Sequence, residues 1–331
     1  MDGLIESPAL IEVRQSGFDP LGPTVRQATA GSGRTVNYID EGGPRDGAGI
    51  PLLFLGGAGT TVRAFGLMEF ARSFRHELGI RVISVERNGL GQTPFDPAVG
   101  LAEYAFDVWS VLDGLDVDEV SIVAISGGGP YAARLAASHP DRVRSLHLAC
   151  AYAESIGDAG ARFEADQVAA DPVAWWRFPA ESAVHHIPGF DDSVIEEAVR
   201  GVFALGRDVP PHGLAQAFSL YAGTPLPSLA AVAAPVFMYW GTDDTLVPVR
   251  HMARWRRALG ERAPDRPVVE RLYPGEGHDV QYRHWDQILV DVAHQGDRLA
   301  VTLDGRTFLA APGQVAGLRA QGATLGLAPW A

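Results

Sequence analysis

The chain has 331 residues, enough for one large domain or for a core domain carrying a smaller inserted one. Its net charge of -13, from 27 basic and 40 acidic residues, argues against DNA, RNA or an anionic membrane as the main partner. Cys150 is the only cysteine, which excludes an intramolecular disulfide, and no apolar run of about 18 residues is present to span a bilayer.

In chain order, the first residues, MDGLIESPALIEVRQSGF, do not read as a secretory signal, so a cytoplasmic location is expected. Residues 24–29 and 35–39 read as a hairpin around the turn Gly31 to Arg34. Ile50 to Leu55 is a continuous apolar run, the pattern of a strand covered on both faces. It ends in Gly56, Gly57, Ala58 and Gly59, and a helix is expected from about Val62 to Leu78. A strand at 81–85 leads into the turn Glu86 to Thr93, in which Arg87 is expected to tie the loop to a neighbouring acid. A helix at 101–115 would bury Tyr104, Val108, Val111, Leu112 and Leu115.

The stretch on which the rest is organised is DEVSIVAISGGGPYAARL, Asp118 to Leu135. Val120 to Ile125 is a short strand, Ser126 follows at once, and Gly127 to Pro130 lead into a helix. A serine in such a strand-to-helix turn is presented at the top of a sheet. The amide of Gly127 and one from Gly57 are the expected donors to an oxyanion, whose charge appears only in the transition state. Another strand at 142–149 closes this half, and Cys150 at its end reads as a buried, inert thiol.

Sheet-type alternation then stops. Residues 151–230 read as helices and loops, at 158–169, 171–178, 191–204 and 212–221, rich in aromatics such as Trp175, Trp176 and Phe218. This suits a lid over the sheet's active edge, favouring an apolar substrate. The sheet resumes at 235–240 and runs into Gly241 to Pro248; a basic helix at 250–259 and a strand at 268–273 lead to Gly277, His278 and Asp279. A helix follows at 282–294. Residues 298–309 read as a hairpin with a DG turn, and 312–321 as a short helix. The expected organisation is therefore a core at 1–150 and 231–296, a helical cap at 151–230 and an extension at 297–331.

Ser126, an aspartate after one strand and a histidine after the next occur in the order of serine hydrolases built on this type of sheet. His278 would take the proton of the serine and return it to the leaving group, while an aspartate fixes its tautomer. Asp244 is the preferred partner; Asp243 has local hydrogen-bonding uses, and Asp279 is adjacent to His278 in sequence. His185 and His186 lack accompanying ligands at metal spacing, and neither a P-loop nor a GxGxxG motif is present, so no metal and no cofactor are expected.

Over residues 35–295 these features resemble the α/β-hydrolase fold superfamily, in particular its capped esterases and proline iminopeptidase-like hydrolases. Ala124-Ile-Ser126-Gly-Gly128 stands where that family has Gly-x-Ser-x-Gly, and Leu55 to Gly59 stands where it has His-Gly-x-Pro-Gly. Glu86 to Thr93, Gly241 to Pro248 and Gly277-His278 are similar to its remaining motifs. The resemblance implies a mostly parallel sheet flanked by helices with an inserted helical lid. It implies Ser126, Asp244, His278, Gly57 and Gly127 as catalytic residues. The expected activity is that of a serine hydrolase with a Ser-His-Asp triad. Its expected substrate is a small, largely apolar carboxylic ester, lactone or thioester, cleaved through an acyl-enzyme. The alternatives are a non-hydrolytic enzyme of this fold (cyclase, lyase or acyltransferase), an amidase or aminopeptidase, and a non-catalytic receptor. A homodimer is compatible with the C-terminal extension.

Overall fold

The computed structural model describes residues 23–42, 49–153, 212–261 and 266–326. The helices expected at 158–169, 171–178 and 191–204, and with them most of the lid and both His185 and His186, lie outside the described residues.

An eight-stranded sheet forms the centre. Its strands are β1 (Arg26–Thr29), β2 (Thr35–Gly42), β3 (Ile50–Leu55), β4 (Ile80–Val85), β5 (Val120–Ile125), β6 (Val143–Ala149), β7 (Val236–Gly241) and β8 (Val268–Tyr273). The spatial order is β1-β2-β4-β3-β5-β6-β7-β8. β1/β2 and β2/β4 pair antiparallel; every pair from β4 through β8 is parallel. The sheet is thus mostly parallel and flanked by helices.

The apolar strand runs are explained by burial on both faces. Leu53, Leu55, Ile122, Ala124, Leu146, Leu148, Met238 and Trp240 face one core, packed by α2 (Leu101–Gly114), α3 (Gly129–Ser138) and α5 (Arg250–Leu259). The alternate residues Leu52, Phe54, Val82, Val123, Phe237 and Tyr239 face a second core with Phe65, Met68, Trp285 and Ile288. Period-two alternation sends neighbouring side chains to opposite faces, so a strand with no polar face has to be internal.

The structure differs from the sequence reading in three elements. The helix expected from Val62 to Leu78 is a 3-10 run, Val62–Ala71, followed by a short α1, Arg72–Glu77. The final core helix is broken at His284 into α6 (Val280–Arg283) and α7 (Trp285–His294). The C-terminal hairpin, β9 (Leu299–Leu303) and β10 (Arg306–Ala310), gains a third strand, β11 (Thr324–Leu325), after α8 (Pro312–Ala320). This small sheet is tied to the core by Gln287 on α7, which donates to Arg298 O (3.3 Å) and accepts from Ala300 N (3.2 Å).

One described helix of the insertion, α4 (His212–Gly223), lies on the core. Gln216 accepts from Asn88 Nδ2 at 2.7 Å, and Leu214 lies over Gly59. Among the described residues no helix is long and apolar enough to cross a membrane.

Candidate active site

The functional side chains come from the carboxyl ends of adjacent parallel strands, where a sheet of this kind forms its crevice. Ser126 follows β5 directly and holds φ at +48°, a left-handed backbone uncommon for a residue with a side chain. Its carbonyl accepts from Tyr152 N at 2.7 Å, which holds the turn. Gly128 is required because a Cβ there would drive into the Leu55 carbonyl at the end of β3.

Asp244 lies three residues beyond β7, with its side chain fully buried. Its Oδ1 accepts from the backbone amides of Leu246 (2.9 Å) and Val247 (2.8 Å). Its Oδ2 is 2.9 Å from His278 Nδ1, and His278 Nε2 is 3.1 Å from Ser126 Oγ. A carboxylate only accepts, so Nδ1 carries the proton and Nε2 presents its lone pair to the serine hydroxyl. Asp243 is exposed and accepts from Thr242 Oγ1 at 2.8 Å. Neither the Gly57 nor the Gly127 amide has a hydrogen-bond acceptor among the described residues. An ideal Cβ on Gly127 would lie 2.8 Å from Ala58 N, so the turn after β3 comes up against the turn after β5.

Arg87 has a role other than the one expected. Its guanidinium, in a residue 4% exposed, donates to Gly57 O (2.5 Å), Thr60 O (2.9 Å) and Thr60 Oγ1 (3.0 Å). Among the described residues it ties the loop after β3 to the loop after β4 through neutral oxygens, not through an acid. The acid of that turn is Glu86, which accepts from Gln92 N, Thr93 N and Thr93 Oγ1, while burial pushes its carboxyl above the usual range.

Cys150 requires a larger correction. Its Sγ, an Asp244 oxygen and a His278 nitrogen all lie within 4.8 Å of one another in one largely buried cluster. The expectation of a plain Ser-His-Asp triad, with the thiol an inert strand-end bystander, therefore does not describe this centre: the acid–base pair has a thiol beside it as well as a hydroxyl. The thiol donates to Gln281 Oε1 at 2.9 Å and points toward His278 O at 3.6 Å. Burial, reinforced by Asp244 and Asp279, raises its pKa well above the ordinary thiol value. Cys150 was legible in outline, since β6 lies between β5 and β7 and the residue after it falls between Ser126 and Asp244. The same three residues are the one group among those described with donor types suited to a metal ion. Each of their polar atoms already has a protein partner.

A family model described as alpha/beta hydrolase fold matches residues 50–284. The chain belongs to the α/β-hydrolase fold family. It is 33% identical over 207 residues to 2-hydroxymuconate semialdehyde hydrolase of Pseudomonas sp. (strain CF600), covering 59% of this chain and 60% of that protein. The match thus spans about three fifths of that relative's length. It is 27% identical over 272 residues to 2-hydroxy-6-oxo-6-phenylhexa-2,4-dienoate hydrolase of Burkholderia cepacia, covering 78% and 85% of the two chains. A thermophilic esterase from Thermogutta terrifontis shares the fold with a TM-score of 0.59 at 20% identity, over 82% of this chain and 97% of the other.

The expectation of cleavage through a serine acyl-enzyme is corrected with the triad on which it rested. The cluster holds a thiol that the serine-only reading left out. Hydrolytic chemistry of this fold remains supported.

Proposed function

We propose that this chain hydrolyses a C–C bond beside a carbonyl group in a small, conjugated organic substrate. The reading is carried by the His278–Asp244 pair, whose free nitrogen stands 3.1 Å from the Ser126 hydroxyl next to two unengaged amides. The substrates named for the two relatives carry their terminal carbonyl as an aldehyde or a phenyl ketone. Water can divide such a molecule at that carbonyl only by breaking a C–C bond.

In this reading His278 moves the protons. It takes one at Nε2 from the attacking nucleophile and delivers it to the carbon that departs. Asp244 keeps the proton on Nδ1 and stabilises the imidazolium between the two transfers. The amides of Gly57 and Gly127 receive the carbonyl oxygen as it gains charge. A departing carbon needs its charge delocalised, which the conjugated chain of such a substrate provides.

Attack by the Cys150 thiol is favoured by its place in the cluster with Asp244 and His278. It is opposed by the thiol's bond to Gln281 and its raised pKa, since the thiolate is the nucleophile. Turnover of 2-hydroxy-6-oxo-6-phenylhexa-2,4-dienoate by Ser126→Ala and Cys150→Ala separates the two nucleophiles. A loss of at least about 10³-fold in kcat in one variant, with the other within about tenfold, assigns the attack to that side chain, and full activity in both overturns the proposal.

A further inference from the structure

Tyr221, on α4, is 2% exposed, and its hydroxyl lies directly against Gly127. A Cβ built on Gly127 would sit 2.8 Å from the phenol oxygen and 2.8 Å from Ala58 N. The phenol therefore lies where the turn after β5 meets the turn after β3, the two turns whose amides are assigned to the carbonyl oxygen.

The phenol oxygen has a cation behind it. Arg87 Nη1 donates to its oxygen at 3.4 Å. The Tyr131 hydroxyl interacts with it as well, and either phenol can be the donor of that pair. A hydroxyl whose oxygen accepts from a guanidinium keeps its one proton to give.

Arg87 strengthens the donor. None of its hydrogen-bond partners among the described residues is a carboxylate: it binds two carbonyls, the Thr60 hydroxyl and Tyr221, and lies 5.3 Å from the Tyr131 ring centroid. A cation on the oxygen side of a phenol draws electron density from it and polarises its O–H outward. The guanidinium also grips the Gly57 carbonyl, so the same group sets the loop that presents the Gly57 amide.

We propose that Tyr221 is a third donor to the oxyanion, its O–H hydrogen-bonding the substrate carbonyl oxygen as negative charge develops there. The proton stays on the phenol; no covalent step is added. The proposal rests on the reading of the site as one that attacks a carbonyl. It goes beyond that reading by assigning a side chain of the inserted segment to the reacting atoms.

Two measurements on Tyr221→Phe test it, with Tyr104→Phe as the control for losing a nearby buried hydroxyl. The first is steady-state turnover of the phenylhexadienoate. The expected result is a fall in kcat of about 10²-fold with KM nearly unchanged, because the bond forms with the transition state. The second is affinity for 2,2,2-trifluoroacetophenone, read by fluorine NMR, whose carbonyl becomes a tetrahedral oxyanion on addition of a hydroxyl. Tyr221→Phe should bind it about tenfold more weakly and Tyr104→Phe should match the wild type. If the wild type leaves the dienoate intact but Tyr221→Phe loses ketone affinity, the substrate reading fails and the donor stands. Wild-type kcat and affinity in Tyr221→Phe, an equal loss in Tyr104→Phe, or a wild-type protein that does not bind the ketone overturns it.

Discussion

Asp244→Asn is the substitution whose consequence follows most directly from the geometry. Oδ1 of Asp244 accepts from two backbone amides, Leu246 N at 2.9 Å and Val247 N at 2.8 Å. Only the oxygen of an asparagine can take that place, so its NH2 group must fall where Oδ2 now faces His278 Nδ1. That NH2 donates, so Nδ1 must accept and the ring proton moves to Nε2. The nitrogen facing Ser126 then donates where it has to accept. The hydrogen bonds are kept in number, so the melting temperature should change little while the chemistry fails. Loss of the correct tautomer in a serine protease of unrelated fold lowers kcat by about 10⁴-fold, which corresponds to about 5.4 kcal/mol of barrier. A fall of that order is expected here in kcat on the phenylhexadienoate. Asp243→Asn, at an exposed carboxylate bonded to Thr242, should remain within about twofold. Nitrogen NMR of the His278 ring should report the proton on Nδ1 in the wild type and on Nε2 in the variant. Retention of kcat within tenfold by Asp244→Asn, or an equal loss in Asp243→Asn, would refute the reasoning.

Two further outcomes are expected away from the site. His147 is fully buried between Tyr239 Oη (3.0 Å) and Ser145 Oγ (2.8 Å) and stacks on Phe237. Burial first, and then Arg144 and Arg271, push its pKa down to about 3. Its ordinary value is 6.5, so between the two values the unfolded chain binds a proton that the folded one refuses. The stability is complete above pH 6.5 and is lost as the pH falls; at pH 5 the loss is about 2 kcal/mol. Urea unfolding of wild type and His147→Gln at pH 7 and pH 5 should show the wild type losing more, and equal losses would contradict the assignment. Gln287→Leu removes the bonds to Ala300 N, Arg298 O and Asp291 Oδ1 and should destabilise by about 1–3 kcal/mol, with limited proteolysis now cutting within 299–326. An unchanged cleavage pattern would show that the extension is held by its apolar contacts.

The parts of the molecule legible in the sequence are those written in local pattern. The run Val120 to Ile125 followed by Ser126 and three glycines specifies its own strand, turn and helix, and all three are in place. Asp244 and His278 could be named because each follows a strand whose order in the chain fixes its place in the sheet. Cys150 is buried as expected, but its place beside the acid–base pair was missed because a thiol's sequence neighbours do not reveal what faces it; the parallel order β5-β6-β7, which sets it between Ser126 and Asp244, does. Arg87 was misread for a related reason. The expectation was an acid partner, whereas its hydrogen-bond acceptors among the described residues are Gly57, Thr60 and Tyr221, brought together only by folding. Tyr221 looks like one more core aromatic until its hydroxyl is seen against Gly127. The break at His284 likewise depends on tertiary contacts, because its ring stacks on Tyr273, with centroids 3.5 Å apart, and bonds to Glu276.

The central claim is that the His278–Asp244 pair drives hydrolysis of a C–C bond beside a carbonyl. The direct measurement is the loss of the phenylhexadienoate chromophore with time, for wild type and for His278→Ala, with the products identified by mass. The account predicts turnover by the wild type that yields benzoate and a five-carbon dienoate, and a rate lower by about 10³-fold or more in His278→Ala. An intact substrate with the wild-type protein, or cleavage that survives the loss of His278, would contradict it.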